Sequence, residues 1–186
     1  MDQPRFDVLG IGNAMVDVIV HSTDAFLSDN NLIKGAMNLI DADAAQALYT
    51  KSGPVTECSG GSAGNTISCL ASLGSNVAYV GKVYDDQLGH VFSNDIRSLG
   101  VHFETSLAVN GPGTATCLVF VTPDAERTMQ TFLGASIGLG PDDIVEADVA
   151  ESAVTYMEGY LWDPEDAKLA FLKAADIAHK AGREVS

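Results

Sequence analysis

Positive charge is scarce in this chain. Against 25 Asp and Glu the 186 residues carry only 10 Lys and Arg, a formal charge of −15. A surface so acidic repels phosphodiester backbones and anionic lipid headgroups, which argues against nucleic acid and membrane surfaces as partners. Apolar runs are short, none nearing the roughly 20 residues that cross a bilayer. The opening stretch carries Asp2, Arg5 and Asp7 where a secretory leader has its apolar core, so the expected location is the cytosol. Cysteine is sparse too: Cys58, Cys69 and Cys117 form no CxxC and have no neighbouring histidine pair, which excludes a zinc finger and leaves reduced thiols as the expectation. His21, His90, His102 and His179 are scattered and read as surface or capped side chains. Two familiar phosphate signatures are missing. Gly10-Ile11-Gly12 is followed by Met15 where a dinucleotide fingerprint needs glycine, and no GxxxxGK[ST] occurs, since Lys82 follows Gly81 but precedes Val83.

What is present is apolar substance for one core, 46% of residues being hydrophobic. Phe6 to Ile11 reads as a strand, and after a glycine bend Met15 to Val20 resumes with Val16, Val18 and Val20 alternating. Asp41 to Tyr49 predicts a helix. An extended stretch from Val55 to Ser59 then delivers Gly60-Gly61 to a second helix, from about Gly64 to Leu73 with Gly74 as its stop. Val77 to Val80 predicts a buried strand, and Asp85-Asp86 caps a helix reaching Leu99. Ala115 to Val121 and Thr128 to Leu133 predict a hairpin across Thr122-Pro123-Asp124-Ala125-Glu126. Pro141-Asp142-Asp143 opens a short helix. Ala153 to Met157 reads as a strand, Pro164 to Ala181 as an amphipathic helix with Leu169, Leu172 and Ile177 inward, and Arg183 to Ser186 as the start of a strand cut short. Alternation of this kind implies α/β architecture: a mostly parallel sheet covered by helices, with active residues beyond the carboxyl ends of strands. The early alternating strand and the hairpin fall outside that layer and are expected to form a small sheet lying over the site as a lid, built from about 13–40 and 108–133 within one domain spanning 1–186.

Among polar residues the densest local signal is Gly60-Gly61-Ser62-Ala63-Gly64-Asn65, between an extended segment and a helix. Glycines there admit a ligand close to the backbone, helix N-terminal N–H groups attract anions and hydroxyl oxygens, and Asn65 offers a donor and an acceptor. A tight loop shaped only by backbone geometry fits the same composition. Asn13 and Asp17 flank the first bend, where a carboxylate can accept from two vicinal sugar hydroxyls, although both residue types also stabilise turns. Arg127, near the hairpin tip, is either a surface arginine or a cation for a transferring phosphoryl group.

Read together, these residues resemble the PfkB family of carbohydrate and nucleoside kinases, a ribokinase-like fold. Its N-terminal signature is matched by Gly60, Gly61, Asn65, Gly74 and Gly89, with departures at Ile67, where a small residue is common, and Tyr84, where a glycine is. Ile67 and the opening Leu9-Gly10-Ile11-Gly12-Asn13-Ala14-Met15-Val16-Asp17 are similar to the adenosine kinase branch. The resemblance implies that Asn13, Asp17, Gly60, Gly61, Ser62 and Asn65 contact ribose hydroxyls. By the same token Met15, Cys117 and Leu133 would face a purine, Arg127 would close towards the phosphoryl group, and an aromatic residue of Gly159-Tyr160-Leu161-Trp162 would lie near the base. It further implies transfer of the ATP γ-phosphoryl group, with Mg2+, to the 5′-hydroxyl of adenosine, giving AMP as in purine salvage. The family's base is an aspartate in a GAGD-like motif near the C-terminus. Here Gly134-Ala135-Ser136-Ile137-Gly138 has the glycines without the aspartate, so this chain is expected to hold the acceptor site and lid, and to lack the ATP and Mg2+ sites, the base and hence activity. A ribokinase-like kinase of ribose, fructose or a keto-deoxy sugar acid remains an alternative, as does a non-catalytic nucleoside-binding module or a homodimer paired through its lid.

Overall fold

The computed structural model describes residues 3–186. Its first sheet has the order β5-β1-β8-β9, formed by β1 (Phe6–Ile11), β5 (Val77–Val80), β8 (Ser152–Met157) and β9 (Glu184–Val185), all parallel. β1 is central, which is why Leu9 and Ile11 are fully buried and the strand reads as a continuous apolar run. Helix α3 (Ser62–Ser72) packs Ile67 on one face of this sheet, against Tyr79 of β5. On the other face lie α5 (Glu146–Ala150) and α6 (Glu165–Lys180), with Leu139, Ile144 and Val149 in the second half of the core.

The second sheet is mixed and has the order β3-β7-β6-β2-β4: β3 (Met37–Leu39), β7 (Arg127–Phe132), β6 (Ala115–Val121), β2 (Met15–His21) and β4 (Thr56–Gly60). Val16, Val18 and Val20 of β2 turn inward with Leu118 and Phe120, as the alternation predicts, and α4 (Gln87–Ser98) and α2 (Ala42–Lys51) cover that side. A short helix, α1 (Asp24–Asp29), sits in the connection from β2 to β3. Helix starts follow the sequence closely. Asp41 accepts from the Ala44 N–H at 2.8 Å and Asp86 from the Gly89 N–H at 2.7 Å.

Two expectations need correction. The second sheet extends past 13–40 and 108–133 to include Thr56–Gly60: the extended stretch expected over Val55 to Ser59 is β4, and antiparallel pairing with β2, which sequence pattern does not reveal, places it in this sheet. In α6, Leu169 and Leu172 are 52% and 60% exposed, and the inward stripe is Ala167, Ala170, Phe171, Ala174, Ile177 and Ala178. Small alanines let the helix approach the sheet closely, a preference that ranking by hydrophobic bulk misses.

Candidate functional site

At the carboxyl end of β1 the chain turns through Gly12-Asn13-Ala14 and enters the second sheet as β2, so this turn joins the two sheets. Pairing of Met15 with Gly60 brings the Gly60-Gly61 loop beside it. Gly61 has φ +87°, and a Cβ there would collide with the Asn13 carbonyl oxygen. At Gly60 a Cβ would occupy the place of the Asp17 carboxylate. Asn65, in the first turn of α3, hydrogen-bonds that carboxylate through its side chain. Asn13, Asp17, Gly60, Gly61, Ser62 and Asn65 are thus brought together, from a turn, a strand and a helix head.

Burial pushes the Asp17 carboxyl up to about 6, the Asn65 hydrogen bond holding it lower than burial alone would. Cys58 and Cys117 are its register partners on the two neighbouring strands. Both thiols are raised, by burial first and by the Asp17 charge after it, which keeps them protonated and poorly nucleophilic.

Two residues that sequence reasoning missed complete the site. Glu158 follows β8 and is 4% exposed; its Oε2 accepts the Asn13 N–H at 3.1 Å and its Oε1 the Ala63 N–H at 3.2 Å. Its place at the carboxyl end of a parallel strand was the available signal. Ser136, fully buried, shares its hydroxyl between Asn13 Oδ1 at 2.8 Å and the Leu133 carbonyl at 2.6 Å. Bonded at Oδ1, the Asn13 amide keeps Nδ2 as its free end. Nothing in Gly134-Ala135-Ser136 announced that contact.

These groups open on a cleft of about 340 Å³. One wall is apolar, with Met15, Met37, Leu39 and Thr131 from the second sheet and Leu133 from the residue that follows β7. The opposite side is polar, with Asn13, Ser62 and Glu158, and the rim carries Gly159, Tyr160 and Asp163. No Lys or Arg is among the lining residues. Asp17 lies immediately beyond, next after Met15 on the same face of β2. Tyr160 is 77% exposed at the cleft, whereas Trp162 packs on Phe171 with ring centroids 5.9 Å apart, so Tyr160 is the aromatic residue that fronts the cleft.

Not every expected residue joins this group. Cys117 is 6% exposed and lies beside its register partner Thr131 on the same face of the sheet, taking the Thr131 hydroxyl's hydrogen bond on its sulfur at 3.4 Å; of the two, Thr131 is the one that lines the cleft. Arg127 is exposed and pairs with Val121 at the far end of the second sheet. It stands two residues from Met129, the register partner of the lining residue Met37, and is not itself among the residues that line the cleft. Ile67 faces the core, against the α-carbon side of Gly10, and is a packing residue.

The model of the pfkB family of carbohydrate kinases matches residues 29–185. The chain belongs to this family. Among solved pfkB-like structures it is similar to the adenosine kinase from Sinorhizobium meliloti, at 57% identity and a TM-score of 0.89 over 97% of this chain and 55% of that one. It is equally similar to a probable sugar kinase protein from Rhizobium etli CFN 42, at 54% identity and a TM-score of 0.91 over 98% of this chain and 56% of that one. A 5-dehydro-2-deoxygluconokinase of Shouchella clausii is 31% identical over 97% of this chain and 50% of its own length. The chain therefore spans about half the length of these pfkB relatives. The fold is ribokinase-like α/β. Among the described residues no group of His, Cys, Asp and Glu can hold a metal ion, and no helix is long and apolar enough to cross a membrane.

Proposed function

We propose that this chain forms the acceptor half of an ATP-dependent kinase whose acceptor is a purine nucleoside, adenosine, phosphorylated at its 5′-hydroxyl. One observation carries the reading: hydroxyl-binding polar groups and an apolar wall meet in one cleft that has no cation. A nucleoside has that same division. Its vicinal ribose hydroxyls donate to the Asp17 carboxylate, which Asn65 orients, while Asn13 Nδ2 and the N–H groups at the head of α3 donate to ribose oxygens. The base lies between Met15, Leu133 and Tyr160. The 57% identity to a protein named as an adenosine kinase supports the same reading.

ATP with Mg2+ supplies the phosphoryl group in such a kinase. The cleft has no Lys or Arg, and the described residues contain no metal-holding cluster, so they do not fit that group and no part of the transfer is assigned to them. This chain alone is accordingly expected to give only background ADP formation with adenosine.

The sugar-kinase reading is favoured by the 54% identity to a probable sugar kinase protein. A keto-deoxy sugar acid fits poorly, since its carboxylate would enter beside Glu158 and Asp163 with no cation to meet it. A neutral sugar would leave the apolar wall uncovered. A thermal-shift panel of adenosine, ribose, fructose and a keto-deoxy sugar acid decides, because a ligand that binds the native state raises its unfolding midpoint. Adenosine is expected to raise it; a shift with ribose or fructose and none with adenosine overturns the assignment. Pairing of two chains is the other use for Met37 and Leu39, which are 52% and 63% exposed on β3. Size-exclusion chromatography with and without adenosine tests that use.

A further inference from the structure

Glu158 is a buried carboxylate with no Lys, Arg or His among its bonded partners. Leaving a charge in that position is costly unless hydrogen bonds replace its water. Both replacements are backbone N–H groups: one from the turn that joins the sheets, the other from the first turn of α3, residues 145 and 95 positions away in sequence. Glu158 is itself anchored, its own N–H donating to the Ile11 carbonyl at 2.9 Å, at the end of β1. Helix α3 has no side-chain cap of its own, and negative charge at its N-terminus is favoured by the aligned peptide dipoles. The chain also makes room for this carboxylate: a Cβ on Gly12 would stand 2.6 Å from its Oε2.

Resting on the acceptor-cleft reading above, we propose that Glu158 is the positioning residue of that site. By bridging the amides of Asn13 and Ala63 it clamps the β1–β2 turn onto the head of α3 and so fixes the spacing between Asn13 on one side and Ser62 and Asn65 on the other. Its contribution to binding is made through these groups. Glutamine is not a neutral replacement at this position. It keeps one acceptor oxygen and turns an NH2 towards the other backbone N–H, setting donor against donor. Aspartate is one methylene shorter and cannot reach both amides.

The test combines residue-level amide hydrogen exchange with adenosine calorimetry, on the wild-type chain and on Glu158→Gln. Exchange at the Asn13 and Ala63 amides is expected to accelerate at least tenfold in the variant while α6 amides keep their rates, and the adenosine Kd is expected to rise at least tenfold. Unchanged exchange at Asn13 and Ala63 with a weakened Kd would mean that Glu158 acts on the ligand directly, and overturns the proposal. So does a uniform acceleration across the chain, which marks a general loss of stability. If Glu158→Gln does not fold, the wild-type exchange still decides: these two amides must be protected well beyond the exposed amides of Gly53 and Asn110, and equal rates refute the clamp. A wild-type chain that shows this protection but no heat with adenosine refutes the nucleoside reading and leaves the clamp standing.

Discussion

The carboxylate of Asp17 lies against the α-carbon of Gly60, in the space that any larger side chain's Cβ would fill. That contact explains the glycine, and burial explains the raised pKa, since the carboxylate is enclosed by backbone and neighbouring strands with the Asn65 side chain as its named donor. A group held this way is placed for a ligand at the expense of stability. Its folded value of about 6 exceeds the unfolded 3.8, so the folded state holds the proton more tightly. The unfavourable contribution is absent below about pH 4, grows as pH rises through about 6 and is then constant. Replacing Asp17 by Asn is expected to raise stability at pH 7 by about 2 kcal/mol, and to abolish adenosine binding. Urea unfolding at pH 4 and pH 7 checks the sign: the gain should be present at pH 7 and nearly vanish at pH 4.

Ligand affinity should run the other way with pH. Hydroxyls donate to the charged carboxylate, so adenosine binds the deprotonated form, and its affinity is expected to be flat above about pH 6 and to fall about tenfold per unit below it. Calorimetric titrations between pH 5 and pH 8 measure this directly.

Gly60 and Gly61 should fail differently. Gly60→Ala displaces the Asp17 carboxylate and is expected to remove adenosine binding with a modest loss of stability. Gly61→Ala forces an L-residue to φ +87° and into the Asn13 carbonyl, and about 1–3 kcal/mol of stability should be lost. Denaturant midpoints and adenosine titrations on both variants separate the two effects.

Tyr160 offers a test of the base-binding wall that leaves the hydroxyl side alone. Stacking on an aromatic ring contributes about 1–3 kcal/mol per base, so Tyr160→Ala is expected to weaken adenosine roughly ten- to hundredfold. Affinity for ribose, measured in parallel, should not change.

Much of this arrangement was legible in the sequence because it rests on local rules. Asp41 and Asp86 announce helix starts by capping, and Val16, Val18 and Val20 announce a half-buried strand by alternation. Gly60-Gly61 marked the head of α3, and the link of Asp17 to Asn65 followed once the resemblance had singled them out. What could not be read is tertiary in origin. Glu158 bonds amides 145 and 95 residues away, Ser136 reaches Asn13 across 123 residues, and the stretch expected to be extended over Val55 to Ser59 gains its place in the second sheet only by pairing with β2. Leu169 and Leu172 misled because hydrophobic bulk does not say which stripe of a helix a sheet will accept.

Adenosine and 2′,3′-dideoxyadenosine titrated side by side into the wild-type protein at pH 7 put the grip of Asp17 on the ribose to its plainest trial. Loss of two hydrogen bonds to a charged carboxylate should weaken the dideoxynucleoside roughly hundredfold or more. Equal affinity for the two would mean that the ribose hydroxyls are not held by Asp17, and the account of this site would be wrong.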